Sequence, residues 1–390
     1  MASSFNTKRV KVAFFDYVVH FGGSIQVTVR TIREMKKYID VVVLDAYGVC
    51  KEYHDRLKEL GIKTVVIQPN PRISILGRKN LVNRVWRILS GGPEMLELKW
   101  RLRKVIEEVS PQAIWTTSNK GLFLINHSIK KSVPIIYFAH GMKAYPRWYN
   151  RRAWKRLSLV AGVSESSLAQ LRESPYEPPV MEVIHNGIDI RDTVESSKDG
   201  PAEIPPSSGL CLLFVGTLNE NKNQPMAFKG LAKYIEQGGD ATLWLCGDYM
   251  PGVCDQYFDN LKGLAEELGI SDKIYFLGWR KDVLALIRQC DVAILTSISE
   301  GLPMCLIEAM CLKKPVIATT VGGVPDLVRD GIDGFLVELG DIDALVKSIK
   351  ILDSAEHRER MGCAGFERIK SCFSLPQSAS RFLDAINSVS

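Results

Sequence analysis

Short apolar runs rich in valine, isoleucine and aromatic residues recur along the whole chain, and stretches with helical spacing separate them. Residues 10–18 (VKVAFFDYV), 40–48 (DVVVLDAYG), 63–68 (KTVVIQ), 113–118 (AIWTTS), 133–141 (VPIIYFAHG) and 158–164 (SLVAGVS) form a first set, with amphipathic stretches such as 24–38 and 95–109 between them. Residues 210–216 (LCLLFVG), 241–247 (ATLWLCG), 273–278 (KIYFLG), 291–297 (DVAILTS), 315–319 (PVIAT) and 334–337 (GFLV) form a second, with helical stretches at 281–289 and 303–313. Strands this continuously apolar need cover on both faces, so each set predicts a parallel sheet with helices on both sides. A chain of 390 residues exceeds one ordinary core. The expectation is therefore α/β: two Rossmann-like, doubly wound domains facing across a cleft. Their expected bounds are 1–190 and 209–372. The Pro-, Ser- and Gly-rich stretch 191–208 is expected to link them, and 373–390 to form a closing helix that packs back on the first domain.

Composition narrows the class. With 46% hydrophobic and 24% charged residues, the chain reads as soluble and globular. The longest uncharged run, 204–219, carries two prolines and three hydroxyl residues and is no membrane span, which needs about 20 apolar residues. The first residues show no clean apolar signal segment. Nine cysteines, none in a Cys-x-x-Cys pair, read as buried thiols of a reducing compartment, so the expected location is cytoplasmic.

Charge is unevenly divided. Residues 1–200 hold 32 basic and 19 acidic side chains, a net +13, whereas 201–390 hold 18 and 25, a net −7. Two stretches concentrate the excess. Residues 72–104 carry nine Lys/Arg against two Glu, and 143–156 carry six basic residues, four aromatics and no acid. A single such cluster is ordinarily a solvated face. Two with tryptophans predict peripheral contact with an anionic membrane, and a lipid-linked or anionic glycan as acceptor for the first domain. No nucleic-acid-binding motif occurs, so no nucleic acid partner is expected.

The most chemically pointed stretch is SEGLPMCLIEAM, residues 299–310, in which Glu300 and Glu308 bracket a Gly-Leu-Pro turn. It lies where a strand ends and a helix begins, the usual ligand edge of such sheets. Free N–H groups at a helix start bind phosphate. Gly301 lets the backbone approach closely, and Met304 can donate an N–H that Pro303, expected in the first helical turn, cannot. Carboxylates suit paired hydroxyls. A nucleoside diphosphate sugar has that layout of sugar, phosphates and ribose. Taken alone, the two glutamates read more readily as solvated helix charges.

The surroundings favour the ligand. Residues 276–337, with the Glu-x7-Glu spacing of Glu300 and Glu308, resemble the C-terminal hallmark of the retaining glycosyltransferase family 4, of the GT-B fold. FVGTLNENKN (214–223), VIHNGID (183–189), FGGS (21–24) and FAHG (138–141) resemble further segments of that family. The resemblance covers residues 10 to about 370 and is looser in the first half. It implies transfer of a sugar from a nucleoside diphosphate donor, UDP favoured over GDP, to a glycan or lipid-linked acceptor in polysaccharide synthesis. Glu308 would hold the ribose, and Glu300 the donor sugar. The amides of Gly301, Leu302 and Met304 would hold the diphosphate. Lys222 would neutralise the leaving phosphate, Gly22 and Gly23 would close over it, Arg280 would flank the base, and His140 would face the transferred sugar.

No Asp-x-Asp metal cluster occurs in these segments, so neither a metal nor another cofactor is expected. Thr217 stands where many members carry an arginine, leaving Lys222 as the expected cation, and Asp326 stands where a glutamate is usual. Two alternatives stay open: a nucleotide-sugar epimerase, and an inactive nucleotide-sugar-binding partner subunit.

Overall fold

The computed structural model describes residues 9–19, 22–69, 81–126, 128–130, 132–141, 151–172, 180–200, 203–207, 209–248 and 255–389. The start of the basic stretch 72–104, most of 143–156, and Phe21 of the glycine loop lie outside the described residues. The chain divides into two compact units. One comprises Met1–Val163, Ser167–Ile184 and Ser378–Ser390; the other comprises Ser164–Ser166 and His185–Gln377.

The first unit is built on β1 (Lys11–Asp16), β2 (Asp40–Asp45), β3 (Lys63–Val66), β4 (Ala113–Thr116), β5 (Ile135–Ala139), β6 (Leu157–Gly162) and β7 (Met181–Val183). Among the described residues these form one parallel sheet, in the order β3-β2-β1-β4-β5-β6-β7. All but the first residue of β1 is buried, as is all of β4 and β5, which is why those segments are apolar without alternation. The sequence does not announce β7. It is three residues long, half-buried at the sheet edge, and carries Glu182 at its centre.

The second unit is built on β8 (Leu210–Val215), β9 (Ala241–Cys246), β10 (Ile274–Gly278), β11 (Val292–Leu295), β12 (Val316–Thr319) and β13 (Gly334–Val337). They pair in parallel in the order β10-β9-β8-β11-β12-β13. Both orders reverse at one place, between β1 and β4 and between β8 and β11. Neighbouring loops there run to opposite faces, and the carboxyl ends of the strands are left accessible.

The stretch expected to be a linker opens with a helix, Ile190–Ser196. Asp189 caps it by accepting the N–H of Asp192 at 3.0 Å. At the other end of the chain, the helix Leu375–Val389 carries Phe382, whose ring lies 4.8 Å from those of Trp115 and Phe138 inside the first unit.

Candidate active site

In the second unit, the loops leaving β8 and β11 meet at the reversal of strand order. After β8 the chain forms a single 3-10 turn, Glu220–Lys222, and Asn219 caps it by accepting the N–H of Lys222 at 3.1 Å. Asn223 follows with φ +49, a left-handed conformation that asparagine tolerates, and the helix Gln224–Glu236 starts there. This turn is tied to the loop after β11 in three places. The N–H of Ile298 donates to Asn221 O at 2.7 Å, Asn221 Nδ2 donates to Ser299 O at 3.0 Å, and Thr296 Oγ1 donates to Asn223 O at 2.8 Å.

The result brings together Lys222 and Glu300, which are 78 residues apart: Nζ lies 2.6 Å from Oε1. The buried Ser297 donates its hydroxyl to the same oxygen at 2.6 Å. The side chains of Lys222 and Glu300 are 20% and 12% exposed, so the pair is only partly hydrated. Burial weighs against charge on Lys222, but Cys305 and Glu300 beside it outweigh burial and hold its pKa above the ordinary lysine value. The lysine stem runs along Gly216, where a Cβ would stand 3.3 Å from Lys222 Cε.

The loop carrying Glu300 rests on a glycine pair after β12. A Cβ on Gly322, whose φ is +55, would stand 1.8 Å from Glu300 O, and one on Gly323 would stand 1.9 Å from Gly301 O. The N–H of Gly323 donates to Glu300 O at 3.2 Å. The following helix, Met304–Cys311, begins one residue later than the sequence predicts. Pro303, at φ −74 and ψ 114, is its extended N-cap and not part of its first turn. The amides of Gly301, Leu302, Met304 and Cys305 have no acceptor among the described residues. Glu308 lies one turn further, half-buried, on a helix whose Leu306, Ile307, Met310 and Cys311 are buried. Burial pushes the Cys311 thiol up to about 12, and the nearby charges of Glu308 and Asp189 add to the shift.

The two other expected residues of this unit differ in how far they are engaged. Thr217 is exposed at the end of β8, and its carbonyl accepts from Gln224 Nε2 at 3.2 Å. Arg280 is bound to Asp282 in a two-pronged pair at 2.7 and 2.6 Å. That pair holds its pKa above the usual value, and its charge is already matched. Glycines close three neighbouring strands here. The N–H of Gly216 donates to Cys246 O and that of Gly247 to Gly278 O, both at 2.9 Å. Gly247 has φ +149, and a Cβ on it would stand 2.1 Å from Gly216 O.

The first unit carries a separate group. Gly22 and Gly23 start the helix Gly23–Met35 without a side-chain cap. A Cβ on either would meet nothing within 4 Å among the described residues, so packing does not demand glycine there. His140 leaves the carboxyl end of β5 and shares a 3.2 Å hydrogen bond with Thr28 of that helix, while the Phe138 ring meets it edge-on at 4.5 Å. Burial pushes the His140 pKa down to about 4, so the ring is neutral at neutral pH and serves as a hydrogen-bond partner, not a cation.

The sequence reading passed over several residues. Ser297, the asparagines at 219, 221 and 223, and the Gly322–Gly323 pair all shape the Lys222–Glu300 contact. In the first unit, buried Asp16 ends β1 beside Asp45, which ends β2. Asp16 accepts from the Thr117 hydroxyl and from the Tyr17 N–H, and burial pushes its pKa up. Asp45 Oδ2 lies 2.8 Å from His54 Nε2. An aspartate closing each of two apolar runs was the available signal.

Comparison with known proteins gives matches over most of the chain. The family model described as "Glycosyl transferases group 1" matches residues 201–368, and that described as "Glycosyltransferase Family 4" matches 49–192. An Escherichia coli UDP-Gal:alpha-D-GlcNAc-diphosphoundecaprenol alpha-1,3-galactosyltransferase is 26% identical over 236 residues, covering 58% of this chain and 57% of that one. The N-acetyl-alpha-D-glucosaminyl L-malate synthase of Bacillus anthracis is 26% identical over 274 residues, covering 67% and 69%. The matches span between 35% and 69% of the length of such curated relatives. Among solved structures, Anabaena HepE in complex with UDP superimposes with a TM-score of 0.77 at 20% identity, over 97% of this chain and all of that one.

Two tests follow from the local geometry. Gly322→Ala combines a positive φ with a backbone collision and is expected to cost more than about 2 kcal/mol in urea unfolding. Gly269→Ala, at φ +67 but in open space, is expected to cost only about 1 kcal/mol. Equal costs would contradict the close approach of Gly322 to Glu300.

For His140, the free imidazole titrates at 6.5 and the folded one at about 4. Between these values the unfolded chain binds more protons, so stability falls as pH drops from 6.5 towards 4. His140→Gln is expected to flatten that slope. An unchanged slope would mean that the ring is not shielded.

Proposed function

The chain belongs to glycosyltransferase family 4 and has its GT-B fold, and from that membership we propose that it moves a sugar from a nucleoside diphosphate donor to a glycan or lipid-linked acceptor, with retention of anomeric configuration. One observation carries the proposal. A charged lysine, a carboxylate and a helix start with uncommitted amides converge at the strand-order reversal of the second unit. Bond cleavage at the donor builds negative charge on the departing diphosphate. Lys222 and the amides of Gly301, Leu302 and Met304 are positive groups held ready for that charge, which is where electrostatic stabilisation lowers a barrier most. Glu300, with Oε1 already taken by Lys222 and Ser297, offers its other oxygen to sugar hydroxyls. Glu308, one turn along the helix, takes the ribose.

Because Lys222 and the amides supply the positive potential, no metal is assigned a role. His140 enters as a neutral hydrogen-bonding group, which suits contact with a sugar hydroxyl. UDP is favoured over GDP because HepE is described with UDP and the Escherichia coli relative is named for UDP-Gal.

We place the enzyme in the cytoplasm, on the inner face of a membrane, with its first unit against anionic lipid. Leu96 and Trp100 of the helix Leu81–Val109 are 67% and 57% exposed, and Lys104 Nζ sits 3.9 Å above the Trp100 ring. Exposed apolar groups beside basic ones suit a lipid interface. No helix among the described residues is long and apolar enough to cross a membrane.

The first test is calorimetric binding of a panel of UDP- and GDP-sugars to the wild type and to Glu308→Ala, with proton NMR of the product anomer for any donor that turns over. Binding of one nucleotide series, weakened about 100-fold in the variant, is expected. Binding to neither series would defeat the donor assignment, and an inverted anomer would defeat retention. Flotation with anionic and neutral vesicles tests the membrane. Binding to anionic vesicles only is expected, and binding to neither would remove lipid contact.

A further inference from the structure

The cation that the donor phosphates require is already committed. Lys222 Nζ is paired with Glu300 Oε1 at 2.6 Å, and Ser297 Oγ, three residues before Glu300 on the loop after β11, holds that carboxylate oxygen in place, also at 2.6 Å. The backbone beneath Lys222 is tied to the loop that carries Glu300. Its turn is capped by Asn219 and bonded to the loop after β11 through Ile298, Asn221 and Thr296. The lysine side chain is held by fewer bonds than its backbone, and its stem lies against Gly216.

Two other expected donor contacts among the described residues, Thr217 and Arg280, offer little to share the load. Thr217 carries no charge, and the Arg280 guanidinium is matched by both oxygens of Asp282. A diphosphate that reaches the amides of the helix start therefore has to draw Lys222 away from Glu300, or share it.

We infer that Glu300 has a second role, as a built-in competitor for Lys222 that weakens the hold on the nucleoside diphosphate product and speeds its release. The inference rests on the donor site proposed above. While the donor sugar is attached, its hydroxyls occupy the free oxygen of Glu300 and the carboxylate is engaged on the sugar. Once the sugar has been transferred, nothing of the donor faces Glu300, and its full charge is available to recapture the ammonium as the diphosphate leaves. Ser297 is a positioning residue in this exchange. It keeps Oε1 directed at Lys222, so its hydroxyl sets how strongly the carboxylate competes.

The experiment is a set of calorimetric titrations with UDP and with GDP, using the full chain. Glu300→Gln keeps the shape and removes the charge. It is expected to bind the diphosphate about five- to tenfold more tightly than wild type, and stopped-flow displacement is expected to show correspondingly slower release. Lys222→Met, alone and with Glu300→Gln, separates competition from simple repulsion between Glu300 and phosphate: competition predicts that the tightening disappears without the lysine. Where the methionine variants bind too weakly to titrate, Glu300→Asp decides. It keeps the charge but shortens the reach, so competition, which needs contact with Lys222, predicts most of the Glu300→Gln tightening, and simple repulsion, which acts over a longer range, predicts little of it. Ser297→Ala is expected to tighten binding less than Glu300→Gln. Unchanged or weaker binding by Glu300→Gln, or tightening that survives Lys222→Met, would overturn the inference and leave the donor site standing. Wild type and variants that all bind neither UDP nor GDP would overturn the donor site, and this inference with it.

Discussion

An ammonium and a carboxylate that are both short of water each need the other, because a partly buried charge without a partner is costly. In this chain the pair is Lys222 and Glu300, and much of the second unit is arranged to let them meet. The two residues sit on loops after β8 and β11, and these strands are neighbours only because the sheet reverses its order between them. Asn219 and Asn223 shape one loop, and Gly322 and Gly323 give the other a surface to lie on. The helix that begins at Met304 is aimed by the same loop, so its open amides and the lysine come to one place. Any change that separates the loops alters charge, hydrogen bonding and helix direction together.

The two units bring different chemistry. The second concentrates charge in a small region, with Lys222, Glu300, Glu308 and the helix start. The first offers neutral or shielded groups. His140 is kept neutral by burial, Gly22 and Gly23 open a helix start that no packing requires, and Asp16 is buried with the Thr117 hydroxyl and a backbone amide on its carboxylate. For the proposed transfer, the first kind suits a departing diphosphate and the second suits sugar hydroxyls. The outer surface of the first unit differs again, with exposed Leu96 and Trp100 set among basic side chains.

Some elements could be read directly from the residues. The strands β1, β4, β5, β8, β9 and β11 are nearly or wholly buried, so their apolar runs are unbroken and stand out. The short edge strand β7 has no such signature, since one of its three residues is a glutamate. The helix Ile190–Ser196 hid inside a stretch rich in turn-forming residues, where the Asp189 cap outweighed composition. Pro303 was legible as a helix-start residue, but whether it stood inside the first turn or just before it depended on the loop that delivers it.

The identity of the chemical groups was thus set by the sequence alone: two carboxylates around a Gly-Leu-Pro turn, a lysine after an apolar strand, a histidine at the end of another, and glycines where a ligand could approach. Periodicity and residue type are local properties, and they survive reading in one dimension. The tertiary structure alone decided which of these groups touch. That Lys222 holds Glu300, that Ser297 holds the same oxygen, and that Arg280 is already matched by Asp282 are consequences of strand order and loop geometry. Contacts across 78 residues arise from how a parallel sheet is wound, and no local pattern encodes them.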